Sequence, residues 1–110
     1  MKINEFAKEV HQNAVEHGWW DEPRSFGEII SLCHSELSEA LEEYRAGRDM
    51  IWYANKDENT KPEGIAVEMA DCIIRILDWA GKENIDMDAI IREKMDYNKT
   101  RPYRHGGKVL

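Results

Sequence analysis

Ile65-Ala66-Val67-Glu68-Met69-Ala70-Asp71-Cys72-Ile73-Ile74-Arg75-Ile76-Leu77-Asp78-Trp79-Ala80 is the most apolar stretch of the chain. Wound as a helix, it carries apolar side chains around nearly its whole circumference, the pattern of a buried helix. Only Glu68, Asp71, Arg75 and Asp78 interrupt it, at spacings of three and four that place them on one narrow strip. Carboxylates on a buried helix require cations, because a bare buried charge is costly or takes up a proton. The segment Thr60-Lys61-Pro62-Glu63 ahead of it reads as a capping box with proline tolerated in the first turn. The spacing therefore predicts a helix from there to about Ala80, with Gly81 just beyond.

Three further helices follow by working outward. One spans about Ile3 to His17, with Ile3, Phe6, Ala7, Val10 and Ala14 at helical spacing and Gly18 ending it. A second opens at the capping box Ser25-Phe26-Gly27-Glu28 and reaches about Arg45, with Gly47 as a left-handed stop. The last is announced by Asp86, carries Met87, Ile90, Ile91 and Met95 on one side, and stops near Lys99, ahead of Pro102. No strand-like alternation or internal repeat is visible. The expected fold is all-α, a four-helix bundle in a single domain over 1–110, with a basic segment from about residue 99. Between the second and third helices, Met50-Ile51-Trp52-Tyr53 is too apolar for a mere linker, which leaves a lid or a subunit contact for Arg48 to Asn59.

At 110 residues, 42% hydrophobic and 34% charged, the balance is that of a globular protein. No apolar run approaches the roughly 20 residues that span a bilayer, and the N-terminus lacks a signal-peptide apolar region, so a cytoplasmic protein without a membrane partner is expected. The net charge of −7 is uneven: Lys99, Arg101, Arg104 and Lys108 close the chain without an acid, leaving 11 cations against all 22 acids before them. An acidic body argues against a nucleic-acid polymer as partner and suits one that collects divalent metal. Cys33 and Cys72 read as small buried residues of a reducing compartment, and a zinc site with His34 has no ligand spacing behind it.

The second helix supplies a matching pair of acids. In Glu36-Leu37-Ser38-Glu39-Ala40-Leu41-Glu42-Glu43, residues Glu36, Glu39 and Glu43 share a face beside the apolar stripe of Ile29, Leu32, Cys33, Leu37, Ala40 and Tyr44. Two such pairs on adjacent helices could converge four carboxylates, Glu36, Glu39, Glu68 and Asp71, into the bundle interior. Oxygen ligands of this kind suit Mg²⁺, with Mn²⁺ as a substitute, and no histidine stands at the spacing that di-iron sites use.

At these residues the chain resembles the MazG-like family of all-α nucleotide pyrophosphohydrolases, whose signature is ExxE on one helix and ExxD on the next. Here the motif reads Glu36-Leu-Ser-Glu39 and Glu68-Met-Ala-Asp71, and the likeness runs from Gly18-Trp19-Trp20 to Asn98-Lys99-Thr100-Arg101-Pro102-Tyr103. The resemblance implies Mg²⁺-dependent cleavage of a nucleoside triphosphate between its α and β phosphates, giving the monophosphate and pyrophosphate. It implies Glu36, Glu39, Glu68 and Asp71 as metal ligands and a nearby carboxylate, Glu39 or Glu43, to activate water. Lys94, Asn98, Arg101 and Arg104 are the expected phosphate contacts, and Trp19 and Trp20, Trp20 foremost, are candidates to stack on the base or to pack in the core or an interface. Members of the family commonly assemble, so a homodimer or homotetramer is expected. Two other readings compete: a narrower dUTP or dCTP pyrophosphatase, and a non-catalytic helical interaction or regulatory module whose acids form structural ion pairs.

Overall fold

The computed structural model describes residues 2–54 and 60–103. It is mostly helical, with α1 (Ile3–Glu16), α2 (Phe26–Arg45), α3 (Ile65–Lys82) and α4 (Met87–Lys99) in chain order. Between α2 and α3 lie two short strands, β1 (Trp52–Tyr53) and β2 (Pro62–Glu63). None of the described helices is long and apolar enough to cross a membrane.

Most helix ends follow local chemistry. The Ser25 hydroxyl accepts the Glu28 amide at 3.1 Å, while the Glu28 carboxylate turns to Arg24 rather than back to the cap, so half of that capping box forms. Asp86 caps α4 by accepting the Ala89 amide at 3.1 Å. Gly18 and Gly47 take φ of 83° and 69° after α1 and α2, the left-handed geometry that glycine adopts without penalty.

The start and the end of α3 differ from the sequence expectation, and both differences are tertiary. The helix begins at Ile65, not within the Thr60–Glu63 box. Pro62 and Glu63 instead pair antiparallel with Tyr53 and Trp52, so the chain does contain a small ladder. The apolar Met50 cluster folds back onto the helix start, where the Met50 carbonyl accepts the Ala66 amide at 3.1 Å. Gly64, at φ 120°, is the hinge, and a side chain there would strike the Met50 carbonyl oxygen. At the other end Gly81 remains helical, and Asn84 with φ 56° turns the chain. Gly81 is where α1 passes closest: a Cβ would lie 2.5 Å from the Ala7 carbonyl oxygen and 2.9 Å from His11 Cβ.

Helix α3 is central, packed on α1 along one side and α2 along another. Ala7, Leu77 and Ala80 form one core with Ile3, Val10, Ile85 and Met87 around it. Ile29, Cys33 and Cys72 form a second, covered by Trp20, and Trp79 touches both. Both cysteines are free and buried, and burial with Cys72 alongside pushes the Cys33 thiol up, as befits packing residues. The far side of α3 is open, with Met69 and Ile73 exposed at 47% and 56%. Helix α4 buries no residue of its own and is tied to α1 by Asp88, which accepts the Ile3 amide at 2.9 Å.

Candidate functional site

The two acid pairs meet where α2 lies against α3. Single carboxylate oxygens of Glu36, Glu39 and Glu68 all lie within 4.8 Å of one another. Glu36 is buried, Glu68 half-buried and Glu39 exposed, so the cluster runs from the helix interface out to solvent. The i, i+3 spacing of Glu36 and Glu39 puts them on one face by helix geometry, and the packing of α3 delivers Glu68 to the same point. Asp71, one turn further along α3, is not in that group. It lines the adjoining cleft together with Glu36.

Charge is in excess here. Burial pushes the Glu68 carboxyl up, and the contacts with Glu36 and Glu39 carry it to about 7. Burial and the negative Glu36 likewise raise Asp71. Glu36 moves the other way. Burial alone would raise it, but hydrogen bonding to Arg75, Glu68 and Glu39 outweighs that and holds it below the usual carboxylate range. Arg75 Nε donates to Glu36 Oε1 at 2.9 Å. The second oxygens, Glu36 Oε2 and Glu68 Oε2, are buried without a donor. A proton shared between the two acids, an ordered water or a cation would satisfy them.

The residues present fit a hard divalent ion. All the offered atoms are carboxylate oxygens, two carboxylate oxygens of the cluster are buried with no protein partner, and burial beside other acids makes Glu68 resist ionisation. Glu36, Glu39 and Glu68 would hold it, with Asp71 on the cleft side.

The cleft beside the acids measures about 720 Å³ and lies between α1 and α3. Its wall is apolar at Phe6, Val10, Ala14 and Ile74 and charged at Glu36, Asp71, Arg75 and Asp78, with Trp19 at the edge. An opening of this size and mixed character suits a ligand with one flat apolar part and one charged part.

Other expected residues fall elsewhere. Glu43 is buried, but its two oxygens accept from Arg48 and from Trp52 Nε1, each at 2.8 Å. Burial would raise its pKa, yet these bonds overcome that and lower it. Glu43 therefore fastens the segment after α2 and stands outside the carboxylate cluster. Trp20 does not line the large cleft. Its indole nitrogen donates to Asp78 at 2.9 Å, and its ring packs on the Ile29 core. Trp19 is the tryptophan at the cleft. Lys94, Asn98 and Arg101 are exposed, none of them lines the cleft, and Lys94 and Arg101 lie over the Tyr97 ring at 4.9 and 5.9 Å. Arg104 lies outside the described residues.

Two cleft residues had only a faint sequence signal. Asp78 is buried and accepts from Trp20 and from His11 Nδ1, the latter at 2.8 Å, joining α1, α3 and the turn between α1 and α2. Arg75 caps the acid cluster. Both lie on the polar strip of α3, which was their one visible mark.

Comparison of the chain with protein-family models, with curated proteins and with solved structures returns no match.

Proposed function

We propose that this protein is a Mg²⁺-dependent nucleoside triphosphate pyrophosphohydrolase. One observation carries the reading: three carboxylates from two helices gathered within 4.8 Å, with two buried oxygens lacking a protein donor, beside a ligand-sized cleft that Glu36 lines. Structural ion pairing accounts for Glu36 Oε1 through Arg75, but it leaves Glu39 and Glu68 unexplained. The resemblance of Glu36-Leu-Ser-Glu39 with Glu68-Met-Ala-Asp71 to the MazG-like signature is what narrows this reading from metal binding to cleavage of a phosphoanhydride.

When bound, a divalent ion screens polyphosphate charge and acidifies a bound water. The chain's own part is positional. Glu36 is anchored between the helices by Arg75, with Glu68 half-buried beside it. Glu39, at the exposed edge, would accept a proton from an attacking water. The apolar wall of Phe6, Val10 and Ile74 is suited to the nucleoside, and the choice of base, dUTP or dCTP included, would be made there.

The decisive measurement is pyrophosphate release from a panel of ribo- and deoxynucleoside triphosphates with Mg²⁺. Release of pyrophosphate with the matching monophosphate is the expected result. No release from any of them sinks the reading, and orthophosphate as first product moves the cleavage to the γ phosphate.

Self-association belongs to the same proposal. Met69 and Ile73 on α3, Leu37 and Leu41 on α2, and Ile90 and Met95 on α4 are all more than one-third exposed. Exposed apolar surface spread over three helices is what a homodimer or homotetramer would cover. The basic side chains of α4 stand away from their own cleft, and a second copy is the means by which they would reach one. Sedimentation equilibrium should give a multiple of 12.9 kDa. A mass equal to one chain at micromolar concentration refutes it.

A further inference from the structure

The wall of the cleft is acidic at Glu9, Glu36, Asp71 and Asp78, and among the described residues that line it only Arg75 is positive. A polyphosphate entering there meets repulsion that metal at one end does not remove along the whole length. Lys94 and Arg101, the cations the sequence suggests for this task, are not in the cleft wall.

Arg75 is held by one edge. Its Nε donates to Glu36 Oε1 at 2.9 Å, and among the described residues the terminal amino groups of the guanidinium make no hydrogen bond. The guanidinium carbon lies 5.3 Å from the Trp19 ring centroid. Trp19 is steadied in turn by Arg24, which lies 3.5 Å over the same ring and donates Nε to the Trp19 carbonyl. The side chain is 29% exposed, so it is anchored without being sealed off. Guanidinium offers five N–H donors in a planar fork, and Glu36 uses one of them. Arg75 also lines the open cleft, and a residue serving only as counter-ion to Glu36 has no need to keep unused donors there.

We propose that Arg75 is a phosphate-binding residue: its terminal amino groups receive phosphate oxygens of the substrate while Nε stays on Glu36. This deepens the pyrophosphohydrolase reading and rests on it for the identity of the ligand. Arg75 lies one helical turn from Asp71 and two from Glu68. Arg75 lines the same cleft as Glu36 of the carboxylate cluster and Phe6, Val10 and Ile74 of the apolar wall, where a phosphate chain would pass from metal to nucleoside.

The test is calorimetric titration of inorganic pyrophosphate into the Mn²⁺-saturated protein, with Mn²⁺ binding alone measured in parallel. Arg75→Gln should weaken pyrophosphate by about 10-fold or more, the loss expected of charge-assisted hydrogen bonds. Its affinity for Mn²⁺ alone should stay equal or rise, since a neighbouring positive charge is gone. Arg75→Lys keeps charge beside Glu36 but not the fork, and should recover only part of the affinity. Equal pyrophosphate binding by the parent and Arg75→Gln overturns the assignment, and so does a parent that does not bind pyrophosphate. If Arg75→Gln fails to fold by circular dichroism, Arg75→Lys decides, and unchanged affinity in that variant overturns it. Arg75-dependent pyrophosphate binding without hydrolysis of any nucleotide would defeat the enzymatic reading and leave the anion site standing. Hydrolysis with Arg75-independent binding would defeat the anion site alone.

Discussion

Replacing Glu68 with glutamine should abolish Mg²⁺-dependent pyrophosphate release and yet make the metal-free protein more heat-stable at pH 8. The two effects have one cause. Glu68 shifts from an ordinary 4.5 to about 7 in the folded chain, because burial and the neighbouring carboxylates oppose its charge. A folded pKa above the unfolded one means that the folded state binds more protons, so stability is lost as pH rises from 4.5 through about 7. Glu36 works in the opposite sense and in a separate window. Its lowered pKa adds stability that is present above its ordinary 4.5 and lost only as pH falls below it. Between about pH 5 and pH 8, Glu68 therefore dominates the local balance.

Thermal melts of the metal-free parent should fall across that range. Glu68→Gln, neutral and nearly isosteric, should fall less and end several degrees higher at pH 8, since each kcal/mol moves Tm by about 4 °C in a chain this size. Saturating Mg²⁺ should raise the parent's Tm more at pH 8 than at pH 6, because the ligand must first shed its proton. The variant should gain nothing from Mg²⁺. Activity should drop by more than about 100-fold, beyond the loss typical of an outer-shell partner of a metal. Retained activity, or a parent whose metal-free Tm climbs over that range, would refute the role given to Glu68.

The second large effect concerns the helix crossing. Gly→Ala inside a helix ordinarily stabilises by about 1 kcal/mol. At Gly81 the sign should reverse. The added methyl would lie 2.5 Å from the Ala7 carbonyl oxygen and 3.1 Å from its carbonyl carbon, which are backbone atoms that cannot rotate away. The crossing must open instead, and Ala7 and Ala80, 2% and 1% exposed, lie in the core beside it. Net destabilisation of about 2 kcal/mol or more follows from overpacking. Urea unfolding monitored by circular dichroism measures it directly. Because α1 forms one wall of the cleft, nucleotide affinity should fall with stability. An unchanged or higher urea midpoint would show that the crossing relaxes more freely than its geometry indicates.

How much of this was legible beforehand depended on how local each feature is. Ser25 and Asp86 were readable as caps because a side chain and an amide three residues away settle the matter between themselves. Gly18 and Gly47 were readable as stops for the same reason. The Thr60–Glu63 box failed because Pro62 and Glu63 had a competing partner in the Met50–Tyr53 segment, distant in sequence. Gly81 looked like a stop and is a contact point, since nothing local to it reveals that α1 passes there.

The candidate site divides along the same line. By itself the sequence determined that Glu36 and Glu39 share a face, that Glu68, Asp71, Arg75 and Asp78 share another, and that the helix bearing them is too apolar to stand free. These follow from helical periodicity, which needs no partner. Tertiary structure decided which acids meet. Glu43 shares the Glu36 face yet is claimed by Arg48 and Trp52. Trp20 turns its nitrogen to Asp78 and leaves the cleft to Trp19. Arg75 donates to Glu36 and lines the cleft, which the described basic residues of α4 do not. Periodicity fixes the direction a side chain leaves its helix, but the packing angle between helices decides what stands opposite, and that angle is set by contacts summed over the whole core.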